Sequence, residues 1–244
     1  MGIWPVGCFQ GARVLVVGGT SGIGAGIAAA FLAEGAGVTL TGATAPEVAA
    51  AAGAMQGCHA VLLDVRDGDG VQALLAGLGG LDHLVYCAGI IRRGAEHDPA
   101  VFAEVLDINL TGAMRVAAAA RPLLAVRGGT VTLMASMLAT FGGGLVPGYA
   151  ASKGGIVQMA KSLAIAWAAD GIRVNAIAPG WIATPLTDPL RADPAREAAL
   201  LARTPLGRWG QPADIAGAAV FLASPLASFV TGAVLPVDGG YLVA

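Results

Sequence analysis

The chain has 244 residues, of which 56% are hydrophobic and only 12% charged, with a formal net charge of −2. That length suits one α/β domain with a large core, and a near-neutral balance without a basic cluster argues against a nucleic-acid partner. Residues 14–33, 128–152 and 215–237 carry no charge, but clusters of Gly, Ser, Thr and Pro break each run into short elements, so buried parallel strands are expected and a membrane partner is not.

Residues 1–10 lack the basic start and apolar run of a secretory leader. Residues 14–17 then read as a buried strand. It runs into Gly18-Gly19-Thr20-Ser21-Gly22-Ile23-Gly24, followed by a helical pattern over 25–34. A strand, a glycine-rich turn and a helix start make a phosphate site, because backbone approaches closely and free N–H groups face the anion. The strand–turn–helix context separates this run from an ordinary glycine turn. Further strands are expected at 38–41, 60–63, 83–86, 130–134, 173–177 and 233–236, with helical patterns between them. The longest helices are expected near 100–124 and 149–169, and the alanine-rich 49–54 and 117–120 read as closely packed helix. Strands alternating with helices predict a single-domain, Rossmann-type, doubly wound parallel sheet with helices on both faces, spanning 1–244. The glycine turn, Asp64, Cys87, Ser136 and the 179–184 segment each follow a strand, so they should meet at one sheet edge, where ligands bind. Residues 184–206 hold Pro185, Pro189, Pro194 and Pro205, a density that breaks regular helix.

Tyr149 and Lys153 stand four residues apart in a helical pattern, and Ser136 precedes the tyrosine by thirteen. The spacing puts Tyr149 and Lys153 on one helix face, one turn apart. A free tyrosine titrates near ~10, and a nearby lysine cation favours the phenolate. Ser136 can hold a reacting oxygen. Such a set moves a proton to or from an alcohol oxygen while a hydride leaves or joins the same carbon. Cys8, Cys58 and Cys87 are odd in number and irregularly spaced, which fits free thiols in a reducing cytoplasm. His59, His83 and His97 show no metal-ligand spacing. They are read as surface or loop histidines, and no metal is expected.

Over nearly its whole length the chain resembles the short-chain dehydrogenase/reductases. Gly18, Gly22 and Gly24 match that family's glycine loop, with Val17 in place of its threonine. Cys87-Ala88-Gly89 falls on its Asn-Asn-Ala-Gly turn, with Tyr86 and Cys87 replacing both asparagines. Asn109, the Ser136/Tyr149/Lys153 trio and Pro179-Gly180-Trp181-Ile182-Ala183-Thr184 match in order. The replacements at Val17, Tyr86 and Cys87 remove hydrogen bonds that usually brace the cofactor turn, so a less rigid loop is expected.

The resemblance implies an NAD(P)-dependent alcohol/ketone oxidoreductase. Tyr149 would be the acid/base, Lys153 its charge partner and a ribose ligand, and Ser136 the holder of the substrate oxygen. Asn109 would kink its helix and tie Lys153 to a water chain. The cofactor would lie against Gly18, Thr20, Ser21, Gly22, Ile23, Gly24, Gly42, Asp64, Val65, Cys87, Ala88, Gly89, Tyr149, Lys153, Pro179, Gly180, Ile182 and Thr184, with Asp64 meeting the adenine. Residues 184–206 would cover the substrate, and Asp238 to Tyr241 would pack at a subunit interface of a homotetramer, which also fits the charge-poor surface. A 3-oxoacyl thioester reductase and a non-catalytic dinucleotide-binding protein are the alternatives. The intact four-residue set favours the enzyme.

Within the family, Gly89-Ile90-Ile91-Arg92-Arg93 and Gly207-Arg208-Trp209-Gly210 resemble the 2-deoxy-gluconate/2-keto-3-deoxy-gluconate dehydrogenases. This branch implies a sugar-acid substrate, with Arg92 or Arg93 holding its carboxylate through a planar fork. Trp181 would line the pocket or be a buried aromatic. The family's NAD-selecting acid would fall on Gly42 and is missing, yet no Arg or Lys stands at 41–44 or 18–24. The branch resemblance favours NAD over NADP.

Overall fold

A computed structural model of the protein describes residues 7–244, so most of the leader reading at 1–10 lies outside the described residues. Seven parallel strands form one sheet: β1 (Arg13–Val17), β2 (Gly37–Gly42), β3 (Cys58–Leu62), β4 (His83–Tyr86), β5 (Thr130–Met134), β6 (Arg173–Pro179) and β7 (Val234–Val237). Their spatial order is β3-β2-β1-β4-β5-β6-β7. The chain thus reverses direction of winding between β1 and β4, and a crevice opens there beyond the strand ends.

The apolar runs have a simple cause. Successive side chains of a strand point to opposite faces, and both faces are covered. Leu15 and Val17 join a core with Leu84, Tyr86, Leu133 and Ile156. Val14 and Val16 join the opposite core with Ile27, Phe31, Leu40 and Ile215. The second core rests on α1 (Gly22–Ala33) and α9 (Pro212–Ala223), and the first on α3 (Gly68–Gly77), α5 (Gly112–Ala125) and α6 (Pro147–Ala166). Among the described residues no helix is long and apolar enough to cross a membrane.

Several elements differ from expectation. His83 lies in the strand expected at 83–86, but it packs against Phe9 and Phe31 instead of standing on the surface or in a loop. It stacks on Phe31 at 6.0 Å, its Nδ1 lies 2.9 Å from Thr130 Oγ1, and burial pushes its pKa down to about 4. The alanine-rich α2 (Ala45–Ala54) buries only Ala51, so its alanines serve helix propensity rather than close packing. The long helix near 100–124 is two, α4 (Pro99–Leu106) and α5, joined by a π-helical turn over Asp107–Thr111. Residues 184–206 are not merely broken loop. They form α7 (Asp188–Arg191) and α8 (Pro194–Ala202), each with a proline in its first turn, where helices accept it.

Candidate active site

A cleft of about 460 Å³ runs along the carboxyl edge of the sheet. Its middle is the glycine turn. Gly18 has φ +76°, and a Cβ there would lie 2.5 Å from Ala88 N. A Cβ on Gly24 would lie 2.1 Å from Gly18 O. Both positions exclude a side chain, and the backbone is left open to the cleft. The first N–H groups of α1 face no protein acceptor, since Ser21 at its N-cap makes no side-chain cap. In contrast, Thr44, Asp67, Asp98 and Asp193 cap α2, α3, α4 and α8 with their own side chains. An uncapped helix start beside glycine backbone fits a pyrophosphate.

The expected looseness of this turn is not found. Cys87 N donates to Val17 O at 2.8 Å, Gly18 N to Thr41 Oγ1 at 3.2 Å and Gly19 N to Thr41 O at 2.9 Å. Backbone bonds thus replace the missing side-chain ones. Tyr86 has a different use: its hydroxyl donates to Ile108 O at 2.6 Å, inside the π turn. A Cβ on Gly112 would come within 2.7 Å of that hydroxyl, so the glycine makes room for the phenol.

At one end of the cleft stand Gly42, Asp64 and Val65, as expected, together with Glu47 and Arg66, which sequence reasoning missed. Glu47 Oε2 accepts from Ala43 N at 3.0 Å and Thr44 N at 3.1 Å. Arg66 grips Asp64, with Nη2 to Oδ2 at 2.6 Å, and that guanidinium bond holds the carboxyl below the usual range. Thr44 and Glu47 spell a capping box in the sequence. No periodic signal brings Arg66 here; the turn after β3 does.

At the other end Tyr149 and Lys153 meet Cys87, Ala88, Gly89 and Thr184. Tyr149 is half-buried on the cleft, and Ser136, whose Oγ accepts from Leu138 N at 3.2 Å, stands near enough to act on its phenol. Burial, the larger effect, pushes the phenol up to about 12; the Ser136 hydrogen bond pulls it back and the Glu96 charge adds to the rise. Lys153 is 4% exposed, and burial pushes it down to about 8. Its Nζ donates to Met134 O at 2.7 Å and lies 5.4 Å from the Tyr149 ring centroid. The lysine therefore stands over the ring face, and its charge is not what sets the phenol in this state. Burial also pushes the Cys87 thiol up to about 12.

Asn109 is fully buried in the π-helical turn that separates α4 from α5. Its side chain does not reach Lys153. Oδ1 accepts from Ile90 N at 2.8 Å, and Nδ2 donates to Ile90 O at 3.0 Å and Ser152 Oγ at 3.1 Å. Ser152 in turn donates to Tyr149 O at 2.7 Å. Asn109 thus braces the turn after β4 against α6.

Of the remaining expected residues, Thr20, Ser21, Gly22 and Ile23 line the cleft, while Ser136, Pro179, Gly180 and Ile182 do not. A Cβ on Gly180 would meet Asp238 Cα at 2.6 Å, and Ile182 bridges to Gly210. Arg92 and Arg93 are exposed on the arm just past cleft-lining Gly89 and Ile90, and Arg92 pairs with Glu104 at 3.4 Å. Trp181 lines a separate cavity of about 90 Å³, edge-on to Trp209 and Tyr241, with its Nε1 buried and unpartnered.

A parallel sheet with an uncapped glycine turn in the middle of its cleft and a buried Tyr/Lys/Ser set at one end defines a dinucleotide-dependent oxidoreductase. A family model described as enoyl-(acyl carrier protein) reductase matches residues 17–242. The chain is 40% identical to 2-dehydro-3-deoxy-D-gluconate 5-dehydrogenase of Pseudoalteromonas atlantica and 39% identical to galactitol 2-dehydrogenase (L-tagatose-forming) of Cereibacter sphaeroides, each over 96% of both chains. A crystal structure of a provisional 2-deoxy-D-gluconate 3-dehydrogenase from Agrobacterium tumefaciens with bound NADP superposes with TM-score 0.90 at 42% identity, covering 99% of this chain and 100% of that one. The chain belongs to the short-chain dehydrogenase/reductase family and is an NAD(P)-dependent enzyme that interconverts a secondary alcohol and a ketone by hydride transfer.

Proposed function

We propose that this enzyme acts on a small polyhydroxy acid or its keto form, with Tyr149 as acid/base, and that the whole chain works as one catalytic unit. The observation that carries the chemistry is the half-buried Tyr149 phenol on the cleft, with Ser136 beside it and Lys153 one turn away. In reduction the phenol gives its proton to the ketone oxygen while Ser136 holds that oxygen; oxidation runs the same path backwards. The nicotinamide, when bound, gives or takes the hydride. Gly18, Gly22 and Gly24 would hold the pyrophosphate against the start of α1, and Lys153 would bind the ribose.

The relatives include both an acid-acting and a polyol-acting enzyme, so the arginines carry the choice of an acid. Arg92 and Arg93 follow the cleft wall, and a substrate carboxylate would replace Glu104 as partner of Arg92. Residues 184–206 serve as its lid, rooted where Thr184, Pro185 and Leu186 meet the cleft. These features favour a sugar acid over a 3-oxoacyl thioester. The test is turnover of sugar acids, matched neutral polyols and oxoacyl thioesters, followed by reduced-nicotinamide absorbance. Arg92→Ala or Arg93→Ala should raise KM for the acid far more than for the polyol; equal effects on both overturn the acid reading.

For the cofactor, NAD is the proposed preference on this chain's own residues, although two similar solved structures hold NADP. Glu47 places a carboxylate on the Ala43 and Thr44 N–H groups, beside the gap left by Gly42. It occupies donors that a 2′-phosphate would need and repels that phosphate. A dissociation constant tighter for NADP than for NAD overturns this, and Glu47→Gln should narrow the difference.

A homotetramer in the cytoplasm completes the proposal. Ile165 on α6 and Phe229 before β7 are 82% and 104% exposed, and β7 ends the sheet with an unpaired edge. Such faces are commonly closed by symmetric copies. The three cysteines are free thiols, which suits a reducing compartment. Sedimentation at micromolar concentration showing a monomer refutes the assembly.

A further inference from the structure

We propose that Glu96 is a positioning residue for the reaction: its buried carboxylate ties the start of the catalytic helix to the arm carrying Arg92 and Arg93, and so fixes where Tyr149 meets the substrate. Glu96 lies in a single 3-10 turn (Ala95–His97) and is 1% exposed. Its Oε2 accepts from Tyr149 N at 2.8 Å, and its Oε1 accepts from Arg92 N at 2.8 Å. One carboxylate therefore joins the backbone of the acid/base to the backbone of the arm.

The sequence of α6 explains why an outside acceptor is needed. The helix begins after Val146, which has no side-chain acceptor, and Pro147 has no N–H to satisfy. Tyr149 N is one of the orphan donors at a helix start. Glu96 caps it from another element, and its negative charge also suits the positive end of the helix. Gly148 lets it approach: a Cβ there would lie 3.3 Å from Glu96 Oε2 and 3.2 Å from Phe102 Cδ2. Two more bonds close the same seam, Gly94 N to Leu145 O at 2.7 Å and His97 Nε2 with Gly144 O at 2.9 Å.

A buried carboxylate is costly unless it is hydrogen-bonded or paired, and no ion pair reaches Glu96 among the described residues. Arg92 turns its guanidinium to Glu104, and His97 turns to Gly144. Both carboxylate oxygens instead accept backbone N–H groups. A glutamine there would keep one acceptor and turn an N–H₂ group toward the other donor. The carboxylate is thus the side chain that satisfies both N–H groups at once, and its length sets their separation.

This inference rests on Tyr149 as the acid/base, and the experiment separates the two. Tyr149 is faced by Lys153 on its own helix, Ser136 after β5, Cys87 after β4 and Glu96. Glu96→Gln removes one charge and one acceptor, while Glu96→Asp keeps both and draws them back by one methylene. Both variants should lose about tenfold or more in kcat while the cofactor dissociation constant stays within about threefold. In Glu96→Gln alone, the pH at which alcohol oxidation gains rate should also fall by about one unit, because a negative charge near the phenol is gone. A merely structural Glu96 would lower the melting temperature of both variants and leave kcat and the pH profile unmoved, which overturns the proposal. If Glu96→Gln does not fold, loss of kcat with retained cofactor binding in Glu96→Asp supports it, and unchanged kcat there overturns it. Retained turnover in Tyr149→Phe sinks the acid/base assignment itself; a dead Tyr149→Phe beside normal Glu96 variants sinks only the positioning role.

Discussion

The direction of catalysis should depend on pH, and the structure sets the size of that dependence. Burial pushes the Tyr149 phenol up to about 12. Against a free value near ~10, that is about 2.7 kcal/mol against the phenolate. At neutral pH a phenol titrating near 12 is ionised in about one molecule in 10⁵. Reduction needs the phenol and finds it fully formed; oxidation needs the phenolate and finds little. The kcat/KM for alcohol oxidation should therefore rise about tenfold per pH unit from neutral pH, while ketone reduction stays nearly flat. Burial pushes Lys153 down to about 8. Its charge does not set the phenol, so the oxidation profile should follow Tyr149 through that pH. The assay is kcat/KM in both directions on one alcohol/ketone pair, from about pH 6 to 10. Tyr149→Phe should lose at least the ~10²–10⁴-fold typical of a positioned acid/base, with cofactor binding retained. Oxidation independent of pH across that range, or near-wild-type turnover in Tyr149→Phe, refutes the reasoning.

Other consequences are as direct. Gly24→Ala puts a methyl 2.1 Å from Gly18 O, so the glycine turn must shift and cofactor affinity should fall by about tenfold or more; an unchanged dissociation constant by fluorescence titration contradicts the close approach. Gly112→Ala should cost about 1–3 kcal/mol in denaturant unfolding, since its methyl meets the Tyr86 hydroxyl, and adding Tyr86→Phe should recover part of that loss; no recovery refutes the pairing. His83 titrates near 4 when folded and near 6.5 when unfolded. The unfolded chain binds the extra proton between those values, so stability should fall by about 3 kcal/mol as pH drops from 6.5 to 4. His83→Leu should show a shallower acid slope, and an equal slope refutes the burial argument.

The fold was legible because local pattern and global architecture agree. Strands β4 and β5 begin and end where their apolar runs do, and β6 extends only because Ala178 and Pro179 continue pairing with β7. The Ser136, Tyr149 and Lys153 set and the glycine turn could be proposed from the sequence because their spacing suggests the chemistry. Residues whose role depends on a long-range partner were not. Glu96 and Tyr149 are fifty-three positions apart, and an acid between Ala95 and His97 has no periodicity to betray it. His83 looked like a loop residue because a titratable side chain is rarely placed between two phenylalanines. Arg66 was invisible as a cleft residue because its neighbourhood is made by the turn after β3. Asn109 was found through resemblance, yet which groups its amide holds required the π turn to be seen.

The chemistry of the site follows from one physical cause acting on several groups. Burial pushes Tyr149 and Cys87 up and Lys153 down. Each therefore leans toward its neutral form, and a proton can pass to or from Tyr149 without a large charge being stranded. A low local dielectric also lets each remaining charge reach further. Glu96 is buried within that region, bonded to Tyr149's own backbone. Its charge raises the phenol's pKa while its hydrogen bonds fix the phenol's place. The two effects oppose each other in oxidation and act together in reduction, where a held, protonated tyrosine is what the ketone needs. The electrostatics of these residues thus favour ketone reduction at neutral pH.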